Sequence, residues 1–132
     1  MTIDIVSMPF VKELLDDSRP FVLFVHLMGS HFNVQDRVPA SFRTEAGVDA
    51  YDRSLRYSDH VIAEIVRLLP PRTELFYISD HGESTDRPGW RDMTSEALWS
   101  VPFFTYPAEA ARNVRSVADF TSLWYNLIQH DD

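Results

Sequence analysis

Apolar residues recur at helical spacing in three stretches of the chain. These stretches run from Ile3 to Leu15, from Val48 to Leu69, and from Val117 to Ile128. A helix of a globular domain buries one stripe of side chains, so this spacing predicts three amphipathic helices. Pro70 and Pro71 forbid continuation of the middle helix. The apolar face of that helix consists of Tyr51, Leu55, Ser58, Ile62, Ile65, Val66 and Leu69.

Three short apolar runs predict strands, at Phe21–Leu27, Leu75–Ser79 and Val101–Tyr106. The first run is continuous and β-rich, which is typical of a strand buried on both faces of a sheet. The third contains Pro102, which favours the start of a strand or an edge position. Residues 32–47 and 83–100 have no such pattern, so we expect surface loops without regular structure there.

Strands that alternate with helices predict an α/β fold with a small, mainly parallel sheet flanked by helices. The length of 132 residues fits one domain over residues 1–132. A parallel sheet must cover both faces and its edges, and only three helices are available to do so. The pattern therefore indicates part of a larger sheet.

Composition excludes several classes of function. The 20 acidic side chains outnumber the 12 basic ones, which gives a net charge of −8 and argues against a nucleic-acid partner. There is no cysteine, so disulfides and thiolate metal sites are excluded. No apolar run approaches the roughly 20 residues of a membrane span. The acidic residues near the N-terminus do not match a signal peptide, and the localisation of the chain stays open.

Two polar clusters follow predicted strands, at His26–His31 and at Ser79–Ser84. Ligand sites of parallel α/β sheets gather at the carboxyl ends of strands. Asp80 and His81 offer an oxygen and an imidazole nitrogen, a pair that suits zinc or manganese. His26 and His31 are candidates for further metal ligands or for hydrogen-bond donors to phosphate or sulfate. The alternative is that Asp80 caps a turn and that the histidines are ordinary loop residues.

The two clusters face each other if the first two strands are neighbours. Adjacent strands of one sheet are only about 4.8 Å apart, and parallel strands end at the same edge. We therefore expect His26 or His31 within about 10 Å of the Asp80 and His81 side chains, a span that a phosphate and one metal ion could bridge.

Three strings carry a resemblance to a known family: PFVLFVHLMGSH (Pro20–His31), YDRSLRYSDHVI (Tyr51–Ile62) and FYISDHGES (Phe76–Ser84). In this order they resemble the carboxyl-terminal catalytic half of bacterial phosphoethanolamine transferases, within the sulfatase and alkaline phosphatase superfamily. With Val101 and Pro102 they span most of the chain from residue 20 to about 106. The resemblance implies part of an alkaline-phosphatase-like sandwich and an origin in lipopolysaccharide modification.

The resemblance assigns roles to individual residues. It makes Asp80 and His81 ligands of zinc or another divalent metal, and His26 and His31 contacts to the transferred phosphate group. The partners that the resemblance implies are a phospholipid head group and lipid A or a core sugar. A full-length parent would act at the periplasmic face of the inner membrane. Tyr51, Asp52, Asp59 and Glu83 also match the family pattern. We interpret Tyr51 as a core residue and Asp52 and Asp59 as helix-surface or capping groups, and the role of Glu83 stays open, with orientation of His81 as one candidate.

Departures from the family pattern are as informative as the matches. The family's threonine nucleophile and a glutamate ligand precede the matching region, and no counterpart of either can be placed in this chain. A family histidine after SDHGES is also missing, because no histidine lies between His81 and His130. We therefore expect no catalytic nucleophile here, weak or absent zinc binding, and no activity of the chain alone unless a missing N-terminal half pairs with it.

A second hypothesis comes from a different class. The chain would be a soluble, non-catalytic interaction domain that retains the superfamily scaffold and pairs with another chain through an exposed edge or face. Five aromatic residues could suggest a ligand-stacking surface, but their apolar neighbours favour a place in the core. They are Trp90, Trp99, Phe103, Phe104 and Trp124.

Overall fold

In a computed structural model, the described part of the chain contains six helices and two strands and forms two units. The structure describes residues 3–16, 20–31, 33–44, 46–84, 94–108, 114 and 116–129. The first unit contains the chain up to Thr73, and the second contains Glu74–Ser84 together with the described residues from 94 onwards. Within the described ranges, no helix combines the length and the apolar character that a membrane span requires.

The first unit is built around its longest helix. In chain order its helices are α1 (Ile3–Leu15), α2 (Val34–Arg37), α3 (Ala40–Arg43) and α4 (Ala50–Leu68), and the first three all contact α4. The backbone N–H of Asp52 donates to the Asp49 side chain at 2.9 Å, which caps the start of α4. Pro70 and Pro71 follow its last turn. Both ends of this helix are therefore set by residues beside them in the chain.

The core of the first unit lies against one face of α4. The buried residues of that face are Ser54, Tyr57, Ser58, Val61, Ile62 and Ile65. Val11 and Leu15 of α1 and Val38 are buried as well, and the ring of Phe42 packs edge-on against Tyr57 at 5.3 Å. The predicted helix is confirmed, but its buried face shares only Ser58, Ile62 and Ile65 with the predicted one, and Leu55 of the predicted face is exposed. Asp52 and Asp59 lie on the helix surface as expected, and Tyr51 is half-buried.

The strand predicted at Phe21–Leu27 does not form. Residues 20–28 lack regular secondary structure, and Phe21, Val22 and Phe24 are exposed, with 75% of Phe24 open to solvent. A strand needs a backbone partner and two covered faces to bury a continuous apolar run. In the described part of the chain, only β1 and β2 are paired as strands. The prediction of a strand in this segment is therefore wrong for this structure.

The second unit contains the sheet that the structure describes. Strand β1 (Leu75–Ile78) pairs antiparallel with β2 (Phe103–Tyr106), with Leu75 opposite Tyr106 and Ile78 opposite Phe103. Helix α6 (Val117–Gln129) covers one face, where the Phe120 ring lies 6.0 Å from those of Phe76 and Phe103. On the other face, Tyr77 and Phe104 stack at 4.8 Å. The described sheet is antiparallel, so the prediction of a mainly parallel sheet is wrong for the described residues. Strand β2 runs back along β1 and pairs with it.

Short helices occupy parts of both predicted loops. Helices α2 and α3 lie within residues 32–47, and α5 (Glu96–Trp99) lies within residues 83–100. Each has four residues, and one turn is too short to show an apolar period in sequence. Trp99 is 63% exposed and Phe104 is exposed, so their predicted place in the core is wrong, whereas Phe103 is half-buried. The side chains of Trp90 and Trp124 lie outside the described part.

Candidate functional site

Asp80 and His81 stand directly after β1, in a turn that the strand pair holds in place. The backbone N–H of Ser79 donates to the Pro102 carbonyl at 3.3 Å and extends the contact between the strands by one residue. The Ser79 hydroxyl donates to the carbonyl of His81 at 2.8 Å. These two hydrogen bonds fix the direction in which the chain leaves the sheet, and with it the start of the Asp80-His81 turn.

Gly82 brings this turn against helix α5. Its N–H donates to the Leu98 carbonyl at 2.9 Å. A Cβ at this position would lie only 1.8 Å from the carbonyl oxygen of Ala97, far inside van der Waals contact. Because the obstructing atom belongs to the backbone, no side-chain rotation relieves the clash. The close approach of the turn to α5 therefore requires glycine.

The His81 ring is oriented by the backbone of its own turn. Its Nδ1 lies 2.7 Å from the Gly82 carbonyl. A carbonyl oxygen only accepts hydrogen bonds, so Nδ1 carries the proton of this bond. In the neutral ring the lone pair then belongs to Nε2, which lies 3.8 Å from Oδ2 of Asp80. A donor N–H fixed by a backbone carbonyl is the usual arrangement of metal-binding histidines.

The geometry of Asp80 and His81 suits two ligands of one metal ion. Two ligands of a tetrahedral zinc, each at about 2.0–2.1 Å, lie about 3.3 Å apart, so the two atoms, now 3.8 Å apart, would have to approach each other slightly to share one ion. The side chain of Asp80 is 85% exposed and that of His81 33%, so an ion can reach both. No group of three or more histidine, aspartate or glutamate side chains suited to a metal occurs within the described ranges. Within the described ranges, Asp80 and His81 therefore offer two donors, fewer than the four protein ligands of a closed zinc site.

Asp80 also serves the turn in the way the alternative interpretation expected. Its Oδ1 accepts the backbone N–H of His81 at 3.0 Å, while Oδ2 faces the imidazole. Capping the turn and binding a metal use different oxygens of the same carboxylate, so the two roles are compatible.

Tyr77 reports the electrostatic character of this end of the sheet. Burial raises the pKa of the Tyr77 phenol, and the negative charge of Asp80 raises it further. Both causes penalise a second negative charge beside the carboxylate. Only the second cause, the charge of Asp80, would favour a cation nearby, because burial disfavours charge of either sign.

His26 and His31 flank a tight turn of the first unit. Gly29 has a φ of +51°, the left-handed region that favours glycine, and the His31 N–H donates to the Met28 carbonyl at 3.2 Å. The turn rests on α4, where the hydroxyls of Ser30 and Ser54 lie 2.8 Å apart. Both histidine side chains are exposed. A ligand in solution can therefore reach either imidazole.

The structure brings Asp80 together with His81, and His26 into the same unit as His31. The two pairs lie in different units, so their expected approach to within about 10 Å stays a prediction. Glu83 is half-buried, and the acceptor at Nδ1 of His81 is the Gly82 carbonyl. A role of Glu83 in orienting His81 likewise stays a prediction.

Sequence reasoning did not identify three residues that shape these turns. Ser79 and Gly82 lie inside the recognised string, but only the structure shows their roles: Ser79 bonds the His81 carbonyl, and Gly82 lies against α5. Ser54 interrupts the apolar face of α4, four residues before Ser58. A pair of serines at i and i+4 on a buried helix face was the available signal, since buried hydroxyls need partners.

Comparison with known proteins defines the class. The Sulfatase family model matches residues 2–130, nearly the whole chain, and the chain belongs to that family. The membership confirms the α/β fold class and the superfamily indicated by the three strings. No solved structure matches the chain.

Curated relatives agree with the narrower resemblance. The chain is 26% identical to phosphoethanolamine transferase EptA of Helicobacter pylori over 83% of its own length and 26% of the relative's. It is 27% identical to phosphoethanolamine transferase EptC of Escherichia coli K12, over 79% of this chain and 22% of that protein. A Kdo(2)-lipid A phosphoethanolamine 7''-transferase of Salmonella typhimurium is 32% identical over 67% of this chain and 19% of that protein. The chain spans about a quarter of the length of the first two relatives.

Proposed function

We propose that the chain is part of the catalytic domain of a metal-dependent phosphoethanolamine transferase, or of a related enzyme of the sulfatase and phosphatase superfamily. The observation that carries this proposal is the Asp80-His81 turn. There a backbone carbonyl holds Nδ1 of the imidazole, and Nε2 lies 3.8 Å from a carboxylate oxygen. Family membership and the names of the relatives support the same class of reaction.

Asp80 and His81 would hold the divalent metal, with zinc the ion that the donor pair suits best. When bound, the metal supplies a positive charge that activates a hydroxyl nucleophile and stabilises charge on phosphoryl oxygens. The Gly82 carbonyl keeps the ring in the tautomer that leaves the Nε2 lone pair available to a metal. His26 and His31 would donate hydrogen bonds to the phosphate group from the Gly29-Ser30 turn.

The substrates proposed for the complete enzyme follow from the relatives. The donor would be a phospholipid with a phosphoethanolamine head group, and the acceptor would be lipid A or a core sugar, at the periplasmic face of the inner membrane. The names of the relatives include phosphoethanolamine transfer and Kdo(2)-lipid A, which supports this choice. The threonine nucleophile would be supplied by a region outside the match, so the chain would pair with an N-terminal half to act.

Calorimetric titration with zinc tests the proposed half-site. We expect one-to-one binding that is much weaker than at a four-ligand site, because only two of the ligands are supplied. His81→Ala and Asp80→Asn should each remove the binding. Asp59→Asn is a matched control, since Asp59 is an exposed carboxylate on α4. Equal zinc binding by His81→Ala and the unmodified chain would overturn the proposal. Tight binding that needs a further acidic residue of this chain would show that the zinc site is complete within the chain.

A non-catalytic interaction domain is the second candidate. The exposed apolar side chains of Phe21, Val22 and Phe24 favour it, because a contiguous apolar segment in solvent commonly marks an interface. Only the first candidate predicts zinc binding at Asp80 and His81. The zinc titration therefore separates them.

A further inference from the structure

The hydroxyl of Ser54 joins the turn between His26 and His31 to the core of the first unit. Ser54 is 1% exposed, although serine is a polar residue that usually lies at the surface. Its Oγ lies 2.8 Å from the Ser30 Oγ and 2.6 Å from the Tyr51 carbonyl oxygen. A buried hydroxyl with two partners at these distances is held in one place.

The order of donors in this group follows from the chemistry of its members. The Tyr51 carbonyl can only accept, and each serine hydroxyl has a single proton. Both contacts are satisfied when Ser54 donates to the Tyr51 carbonyl and Ser30 donates to Ser54. The proton of Ser30 then points towards the helix and not towards solvent. The Ser30 hydroxyl is thereby tied to α4.

The neighbouring serine does not make the same connection. Ser58 donates to the Ser54 carbonyl at 3.0 Å, a bond within the helix. Its Oγ would lie 3.8 Å from a Cβ placed on Gly29, which is ordinary van der Waals contact. Ser58 therefore lies beside the turn, whereas Ser54 holds it through a hydrogen bond. This difference provides a matched pair of substitutions.

We infer that Ser54 is a positioning residue of the proposed phosphate site, which fixes the Gly29-Ser30 turn on α4 and thereby the point from which His31 leaves it. The inference rests on the proposed function for the identity of the ligand, but not for the hydrogen bond itself. It assigns α4 a role at the site beyond packing. Ser54 acts through Ser30 and touches no reacting group.

Two NMR measurements on the full chain test this inference: the exchange rate of the His31 backbone amide, and the affinity for inorganic phosphate read from the imidazole signals of His26 and His31. The His31 N–H closes the turn on the Met28 carbonyl, so its exchange reports the order of the turn. In Ser54→Ala we expect exchange to accelerate by at least about 3-fold and phosphate affinity to fall by about 3-fold to 10-fold, the range of one hydrogen bond.

Ser30→Ala should have the same effect, and the double variant should lose no more than either single one, because both substitutions remove one shared bond. Ser30 is half-buried, so its variant keeps the test open if Ser54→Ala does not fold. Ser58→Ala should leave both readouts close to those of the unmodified chain.

Faster exchange in Ser54→Ala and Ser30→Ala without any phosphate binding by the unmodified chain would uphold the positioning role and overturn only the proposed phosphate site. Unchanged exchange in Ser54→Ala, or additive losses in the double variant, would overturn the inference.

Discussion

The Asp80-His81 turn is held by the close approach of the Gly82 backbone to helix α5. Gly82 donates its N–H to Leu98, and a methyl group in place of its hydrogen would meet the Ala97 carbonyl oxygen. The constraint is steric and not conformational, since Gly82 is not among the glycines with a positive φ. Gly47 is the opposite case: its φ is +79°, and a Cβ there would meet no described atom within 4 Å beyond its chain neighbours.

The contrast between these glycines yields a prediction. Gly82→Ala should lower the free energy of unfolding by about 3 kcal/mol, because the turn must move away from α5. Gly47→Ala should cost only about 1 kcal/mol, the strain of a left-handed alanine. Urea unfolding followed by circular dichroism measures both. Equal losses would show that the clash at Gly82 is relieved by a small shift of α5.

The phenol of Tyr77 provides a prediction about pH. Its pKa is raised by burial and by the charge of Asp80, so the folded chain favours the neutral phenol. The stability contributed by this group is complete below the unfolded pKa of about 10, and it is lost as the pH rises through the raised pKa of the folded state. Tyr77→Phe should therefore lose less stability than the unmodified chain on going from neutral to strongly alkaline pH.

Asp80→Asn should bring the pKa of Tyr77 part of the way back towards its usual value. The contribution of burial remains in this variant, so the return should be incomplete. Absorbance at the tyrosinate band in the presence of a chelator measures the change, with Tyr77→Phe subtracted to isolate this phenol among the five tyrosines. An unchanged titration in Asp80→Asn would show that the carboxylate does not act on Tyr77.

Helix α6 is the element that gives the two-stranded sheet a covered face. A two-stranded ribbon is marginal by itself, and Phe120 supplies the ring that packs on both strands, at Phe76 and Phe103. Phe120→Ala should cost about 1–3 kcal/mol of unfolding free energy, less than for a fully buried phenylalanine because Phe120 is half-buried. Tyr125→Ala, on the same helix at an exposed position, should change stability by less than about 0.5 kcal/mol. Similar losses in the two variants would contradict the role given to α6.

Elements with local signals were predictable from the sequence, and elements that depend on distant partners were not. The ends of α4 follow from Asp49 and from Pro70, residues that act on their own neighbours. The segment Phe21–Leu27 has the composition of a strand. Strand formation also needs a partner strand, which the amino-acid sequence of the segment does not specify. The antiparallel pairing of β1 with β2 could not be predicted either, because direction is set by the path of the chain between them.

At the scale of the whole molecule, residues of the recognised strings also form hydrogen bonds that hold the fold. The strings around Ser30 and Ser54 meet in one hydrogen bond, and the string around His81 folds into a turn of its own. Sequence therefore indicated the family and the residues of the candidate site. It did not indicate which residues hold them, since Ser54, Ser79 and Gly82 act through packing partners far along the chain or through backbone atoms.

Catalysis is a property of the complete constellation, and this gives the last prediction. A metal at Asp80 and His81 cannot accelerate phosphoryl transfer without a nucleophile to activate, and the resemblance to the family implies that the threonine nucleophile precedes the matching region. The 132-residue chain with zinc should therefore neither hydrolyse p-nitrophenyl phosphate nor transfer phosphoethanolamine above the rate of zinc alone. Phosphoethanolamine transferase EptC of Escherichia coli, assayed alongside, serves as the positive control. Zinc-dependent turnover that disappears in Asp80→Ala would show that this chain contains its own nucleophile and is an enzyme by itself.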